Sequence, residues 1–376
     1  MIIAKSMPKQ EYKLGIVMVL CGSWLVLVVF VFFHELGHFL AAKFFGVKVE
    51  AFSIGFGSQK LWKKQIGETE YSLRPIPLGG FVQLKGQSDI DPKNRNYDND
   101  SLYGIAGYKR LIILAAGSFF NLLLAFLLYI AIALIGQNEL APVIGKVQEN
   151  SPASLANLKA GDEITSINGE NIRTWNALNE TIVASQGNLE ITFLRDNQEH
   201  TTTLTPKIGT SKNLFGETIT RPLIGIVAAN ELRIISYSLT ESIPYAFFQT
   251  LQAGTLILQG LEKMIMGVVP LSEVGGVVSI VSITKKATEL GIVTLFTFTA
   301  LISVNLGILN LLPIPALDGG HIVFTLYDMI TKKIPSLNTL YRLTISGRVV
   351  LFGLIVLVLY IDMIRIINGT LPFEWI

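Results

Sequence analysis

Residues 14–45 read LGIVMVLCGSWLVLVVFVFFHELGHFLAAKFF, and the kind of protein this chain can be turns on that stretch. It is apolar for nearly its whole length, and about 20 apolar residues suffice for a helix to cross a bilayer. Near its end it nevertheless carries His34, Glu35 and His38. Ionisable groups inside a span are costly and point to function by default. Helical positions i and i+4 share a face, so His34 and His38 can reach one metal ion while Glu35 holds and deprotonates a water beside it. The plain alternative is a set of polar groups at a helix end, which explains neither the spacing nor the depth. The stretch is too long for a cleavable signal peptide, and no small-residue cleavage site follows it.

Three further apolar runs, at 108–135, 292–312 and 345–367, complete a four-span reading. The whole chain agrees: 50% of residues are hydrophobic, 15% are charged and the mean hydropathy is +0.51, where a soluble domain carries about 25% charged residues. A net charge of +2 gives no reason to expect nucleic acid as a partner. The single cysteine, Cys21, excludes an internal disulfide and a cysteine metal cluster. Basic residues set the expected orientation. The segment after span one holds Lys48, Lys60, Lys63, Lys64, Arg74, Lys85, Lys93, Arg95, Lys109 and Arg110, and the loop between spans three and four adds Lys332, Lys333 and Arg342. The tails offer only Lys5, Lys9 and Lys13 at one end and Arg365 at the other. Both loops are therefore expected in the cytoplasm, and region 137–291 outside.

A catalytic zinc takes three protein ligands and keeps a position for water. The third must come from elsewhere, and the two remaining histidines are His200 and His321. Span three ends in NLLPIPALDGGH, residues 310–321. Spans one and three run in the same direction, so this ending meets the depth of His34 and His38. Asp318 and His321 are both candidates, and position alone does not separate them. Pro313 and Pro315 break the helix just before and can aim Asp318 back at the metal.

Taken together, FFHELGHFLAAKFFGVKVEAFSIGFG and NLGILNLLPIPALDGGH resemble the bacterial site-2 proteases, closest to the regulator-of-sigma-E type, over nearly the whole chain. The resemblance implies an intramembrane zinc metalloprotease of a bacterial inner membrane. Its third ligand is the aspartate of the LDG motif, here Asp318. It assigns Asn310 to substrate positioning, and the neighbouring Pro313 and Pro315 are expected to line the same substrate-binding stretch. The stretch from Ala116 to Asn121 resembles the family's AGPxxN with Ser118 for the proline, and Val277 likewise stands where a proline is common. Implied partners are the lipid bilayer and single-span membrane proteins, such as an anti-sigma factor already cut at a first site, or signal-peptide remnants.

Between spans one and two, residues 47–107 alternate like strands and are punctuated by Gly55, Gly57, Pro75, Pro77 and Gly79-Gly80. This predicts a hairpin or small sheet beside the site. A helical substrate hides its scissile carbonyl, and a strand edge can hold it extended. The resemblance favours this use for Ile54, Gly55, Phe56 and Gly57. Residues 142–206 read as one α/β domain in which SPASLANLKAGDEITSING resembles a PDZ pattern, with Asn157 at a turn and a groove helix over 174–184. A substrate filter is expected of it rather than recruitment, and His200 is expected on its surface. Residues 207–290 are expected to be an extracytoplasmic linker whose segment 244–266 is an amphipathic helix, not a fifth span. The expected order is thus tail and first span, 1–46; β loop, 47–107; second span, 108–136; PDZ domain, 142–206; linker, 207–290; last two spans, 291–376. Two rival functions are a membrane-anchored protease for soluble peptides, which would carry its motif outside a span, and a scaffold with a vestigial site, which would have no use for Glu35.

Overall fold

The structure is a computed structural model describing residues 9–87, 96–333 and 336–370, with the side chains of 9–25, 27, 77, 78 and 337 excepted. Lys5, Lys93 and Arg95, counted above for orientation, lie outside it, as do the two chain ends. Two compact units emerge, residues 1–130 with 244–376, and 131–243.

In the first unit, helix α1 runs Lys9–Phe44 and carries the HELGH motif without a break. The chain then turns into a sheet of β1 (Val49–Phe56), β2 (Trp62–Ile66), β3 (Thr69–Leu73) and β4 (Ile76–Leu84), in the order β2-β3-β1-β4. Phe52 packs edge-on against Phe39 at 5.5 Å and Phe32 at 6.0 Å, which seats this face of the sheet on α1. The opposite face is polar: Ser72 donates to Ser53 at 3.0 Å, and Arg74 Nε donates to the same hydroxyl. Pro75, Pro77 and the glycines that followed the third strand in sequence read as punctuation, yet β4 runs through Pro77 to Leu84. Proline is tolerated because β4 is an edge strand, where a missing N–H need not break a ladder. β1, in contrast, is central, parallel to β3 and antiparallel to β4. Helix α2 (Gly107–Ile135) follows.

The second unit contains β5 (Gln137–Leu140), β6 (Ile144–Val147), α3 (Pro152–Leu155), β7 (Glu163–Ile167), β8 (Glu170–Asn171), α4 (Trp175–Ala184), β9 (Leu189–Arg195) and β10 (Gln198–Leu204). It continues through β11 (Lys207–Lys212), β12 (Thr218–Leu223), β13 (Ile226–Ala228) and β14 (Leu232–Ile235). The boundary expected at residue 206 therefore moves. Ile224 is buried with Ile144, Ile164, Leu178 and Ile191 in one core, and β13 pairs with β6. The sequence between 207 and 235 looks like linker because its strands are short and mostly exposed, and only Ile224 and its neighbours reach the core. Asn157 takes a φ of +62°, as its place in the turn required, and His200 is exposed. Thr174 caps α4 by accepting from Ala177 N–H. A groove lies between Asn179, Ile182 and Val183 of α4 and the segment from Arg221 to Ile226.

Helix α5 (Leu239–Ile265) leads to α6 (Val277–Leu290), α7 (Ile292–Leu311), α8 (Asp318–Thr331) and α9 (Leu337–Ile367). Among the described residues, three helical stretches are long and apolar enough to cross a membrane: Gly107–Ile135, Ile292–Leu311 and Asn338–Ile367. α5 is not among them. α6 starts at Val277, the position lacking the family's proline, and its first turn is held by the fully buried Asp362 of α9. That carboxylate accepts from Val278 N–H at 2.9 Å and Ser279 Oγ at 2.6 Å. The loop expected between spans three and four contains a helix, α8. Its far end is tied to α2 by the buried Arg110, which pairs with Asp328 at 3.3 Å.

Candidate metal centre

The site is built where three helices approach closely. A Cβ on Gly37 of α1 would lie 2.3 Å from Ala116 O of α2, so only glycine lets the two backbones come this near. On the other side of α2, a Cβ on Gly307 of α7 would meet Ser118 O at 3.1 Å, and Ser303 donates to Asn121 O at 2.7 Å. α7 ends at Leu311, before Pro313, and the chain reverses through Pro315, Ala316 and Leu317. Ala316 sits at φ +101°, a conformation L-residues avoid. The turn is compact because α8 starts against α7's last carbonyls. Cβ atoms on Gly319 and Gly320 would fall 2.2 Å from Leu312 O and 2.5 Å from Ile314 O. This packing delivers Asp318, the first residue of α8, to the histidines of α1.

His34 Nε2, His38 Nε2 and Asp318 Oδ2 form a triangle 3.3 Å on each side. A tetrahedral zinc with bonds of about 2.0–2.1 Å sets its ligand atoms about 3.3–3.4 Å apart. Asp318 Oδ2 is buried without a hydrogen bond, which suits an atom whose partner is a cation. His38 Nδ1 donates to Ile113 O at 2.8 Å, leaving Nε2 with a bare lone pair turned to the triangle. The residues present therefore fit zinc, and it is Asp318 rather than His321 that joins the two histidines. Glu35 is buried beside them, and Gly80 of β4 lies against it: a Cβ there would be 3.0 Å from Glu35 Cγ.

Asn310 brings its Nδ2 to 3.4 Å from His34 Nε2, so the end of α7 does face the site. The expectation for Ile54, Gly55, Phe56 and Gly57 needs correction. Ile54 is paired on both sides, with Leu73 and with Gly80, so β1 has no free edge to offer over that pairing. Gly55 is a bulge at φ +86°, where a Cβ would stand 2.6 Å from Arg74 O. The strand that lies against Glu35 is β4, at Gly80. Gly117 has no role legible in the sequence beyond its place in the AGPxxN-like stretch, yet a Cβ there would lie 2.2 Å from His38 Nε2 and 2.8 Å from His34 Cε1. The available signals were the AGPxxN-like stretch that contains it and a pair of small residues, Gly37 and Gly117, in two apolar helices.

Residues 23–354 match the sequence profile of peptidase family M50. The chain belongs to that family. A Campylobacter jejuni protein is 44% identical over 344 residues, spanning 92% of this chain and 93% of its own. A protein of Helicobacter pylori strain J99 is 40% identical, over 81% and 88%, and one of Rickettsia conorii is 32% identical, over 89% and 96%. All three carry the provisional name of zinc metalloprotease. A PDZ domain of an SdrC-like protein from Listeria monocytogenes matches 23% of this chain and 84% of that one, at 22% identity and a TM-score of 0.18; a likeness at that level decides nothing. The family-level resemblance read from HELGH and LDGGH thus holds: this M50 member is a site-2-type zinc metalloprotease with membrane-length apolar helices.

Proposed function

We propose that this M50 peptidase hydrolyses peptide bonds within the membrane segments of single-span proteins. An anti-sigma factor trimmed at a first site, or a signal-peptide remnant, is the kind of substrate meant. The observation that carries the reading is the ligand triangle. It lies where an apolar helix carrying its own catalytic carboxylate meets the ends of two others. A bound zinc would polarise the scissile carbonyl and acidify a water beside it. Glu35 takes the proton from that water as its oxygen adds to the carbonyl carbon, and hands it to the amide nitrogen as the C–N bond breaks. The His38–Ile113 hydrogen bond holds one ligand in its coordinating tautomer. Asn310 stands where it can donate to the substrate backbone, with Pro313 and Pro315 fixing the turn beyond it.

The strand order supports β4 as the substrate platform. Among the described residues no strand lies on its outer side, and an unfolded stretch of substrate can add there, close to Glu35. The charge asymmetry supports loops 47–107 and 332–342 in the cytoplasm of a bacterial inner membrane, four spans in all, and the α/β unit outside. We read that unit as a PDZ-type filter on substrate size. Glu35→Gln should abolish cleavage of a membrane-embedded model substrate with zinc content kept, Asp318→Ala should lose zinc, and His321→Ala should keep it. A Glu35→Gln protein that still cleaves refutes the proposal.

A further inference from the structure

Asn121 of α2 is fully buried and its side chain meets His34, yet its hydrogen bonding does not close. Its amide nitrogen, which can only donate, faces His34 Nδ1 at 3.3 Å, while its carbonyl oxygen Oδ1 is buried with no partner. The Asn310 amide nitrogen, also a donor, faces the other ring nitrogen of His34, Nε2, at 3.4 Å. A neutral imidazole has one acceptor nitrogen, so it cannot serve both amides as donors. One buried oxygen is orphaned and one ring nitrogen is oversubscribed. The conflict at the ring disappears if the Asn121 amide is turned by half a turn about its last bond, which gives Oδ1 the ring N–H as its partner and changes the shape of the side chain hardly at all.

We infer that Asn121 is a positioning residue for the metal centre. Its Oδ1 accepts the Nδ1–H of His34 and so fixes the tautomer that presents a bare Nε2 to the metal. The geometry makes this the counterpart of the His38–Ile113 bond. One histidine is set by a backbone carbonyl of α2 and the other by a side chain two turns further along the same helix. The Asn121 backbone is itself held by Ser303, and its Cβ is 3.4 Å from where a Gly307 side chain would begin, so the amide is confined between α1 and α7. Asn310 is free to donate elsewhere once a metal occupies the lone pair of Nε2. The inference rests on the metal-centre reading above.

The test is zinc affinity of the full-length protein in nanodiscs, by competition with a fluorescent chelator. Asn121→Leu removes the acceptor while keeping the branched shape and the number of side-chain heavy atoms, and should weaken zinc about 10–100-fold, the usual cost of losing such an outer partner. Asn121→Asp keeps an acceptor and no donor, and should stay within about threefold of the wild type. Wild-type affinity in Asn121→Leu, or equal losses in both variants, overturns the inference. Nitrogen-15 NMR of the zinc-loaded, histidine-labelled wild type reads the tautomer without any variant at this position: a proton on His34 Nδ1 supports it, and a proton on Nε2 overturns it. The His34→Ala protein separates the two levels. Unchanged zinc affinity there sinks the metal-centre reading itself, whereas lost affinity there with none lost in Asn121→Leu sinks only the role of Asn121.

Discussion

Replacing Gly117 by alanine adds one methyl group to α2, and by helix propensity alone it should stabilise that helix by about 1 kcal/mol. The new carbon would stand 2.2 Å from His38 Nε2, 2.8 Å from His38 Cδ2 and 2.8 Å from His34 Cε1. Non-bonded heavy atoms rest at about 3.5–4.0 Å, so ring and methyl must part by more than 1 Å. The His38 ring cannot swing away without breaking its 2.8 Å bond to Ile113 O, and His34 is flanked by Asn121 and Asn310. The cost therefore falls on the ligand triangle, whose sides are 3.3 Å. A misplacement of about 1 Å at a reacting centre costs about 100-fold in rate. Gly117→Ala should thus cleave a transmembrane substrate about 100-fold more slowly and hold zinc less tightly, with its thermal unfolding temperature kept or raised. Cleavage in nanodiscs, zinc by mass spectrometry and a melting curve on the same preparation test this. A Gly117→Ala protein with normal zinc and normal rate would show that the rings do not stand where the triangle requires.

Gly80→Ala presses on the other side of the site: its Cβ would fall 2.7 Å from Ser53 O and 3.0 Å from Glu35 Cγ, so kcat should drop about 10–100-fold with zinc content unchanged, and an unchanged kcat would detach β4 from catalysis. Lys85 hydrogen-bonds Asp100 and Asp98 and holds both carboxyls below the usual aspartate range. Their folded pKa values are depressed, so the stabilisation is present above about pH 4 and lost as pH falls below it. Hydrogen exchange over residues 96–102 should speed up in acid, and Lys85→Met should remove that acid dependence. For orientation, in a Cys21→Ser background a cysteine at Ser185 should react with an impermeant thiol reagent in intact cells while cysteines at Ser58 and Ser336 stay shielded; labelling at Ser58 would invert the proposed topology.

The chemistry was legible in the sequence because it is local. His34, Glu35 and His38 share one helix turn, and an apolar run around an HExxH has few other meanings. The apolar periods of 108–135, 292–312 and 345–367 likewise announced helices, since the bilayer demands length and apolarity from each helix by itself. Position alone left Asp318 and His321 as equal candidates, and only the family resemblance chose Asp318, because the side chain that reaches the metal depends on a reversal over Pro315, Ala316 and Leu317 that packs backbone on backbone. Strand rank was out of reach for the same kind of reason. The resemblance offered Ile54 to Gly57 as a strand edge, but Ile54 pairs with both β3 and β4 and the free side is that of β4, a property of the sheet and not of any strand. The end of the α/β unit was hidden because Ile224 joins the core only after the chain returns to β6. Gly117 and Asn121 act through distances across helices. Single residues determined two ligands and the base, whereas close approach between helices, which no periodicity encodes, decided how those groups are aimed.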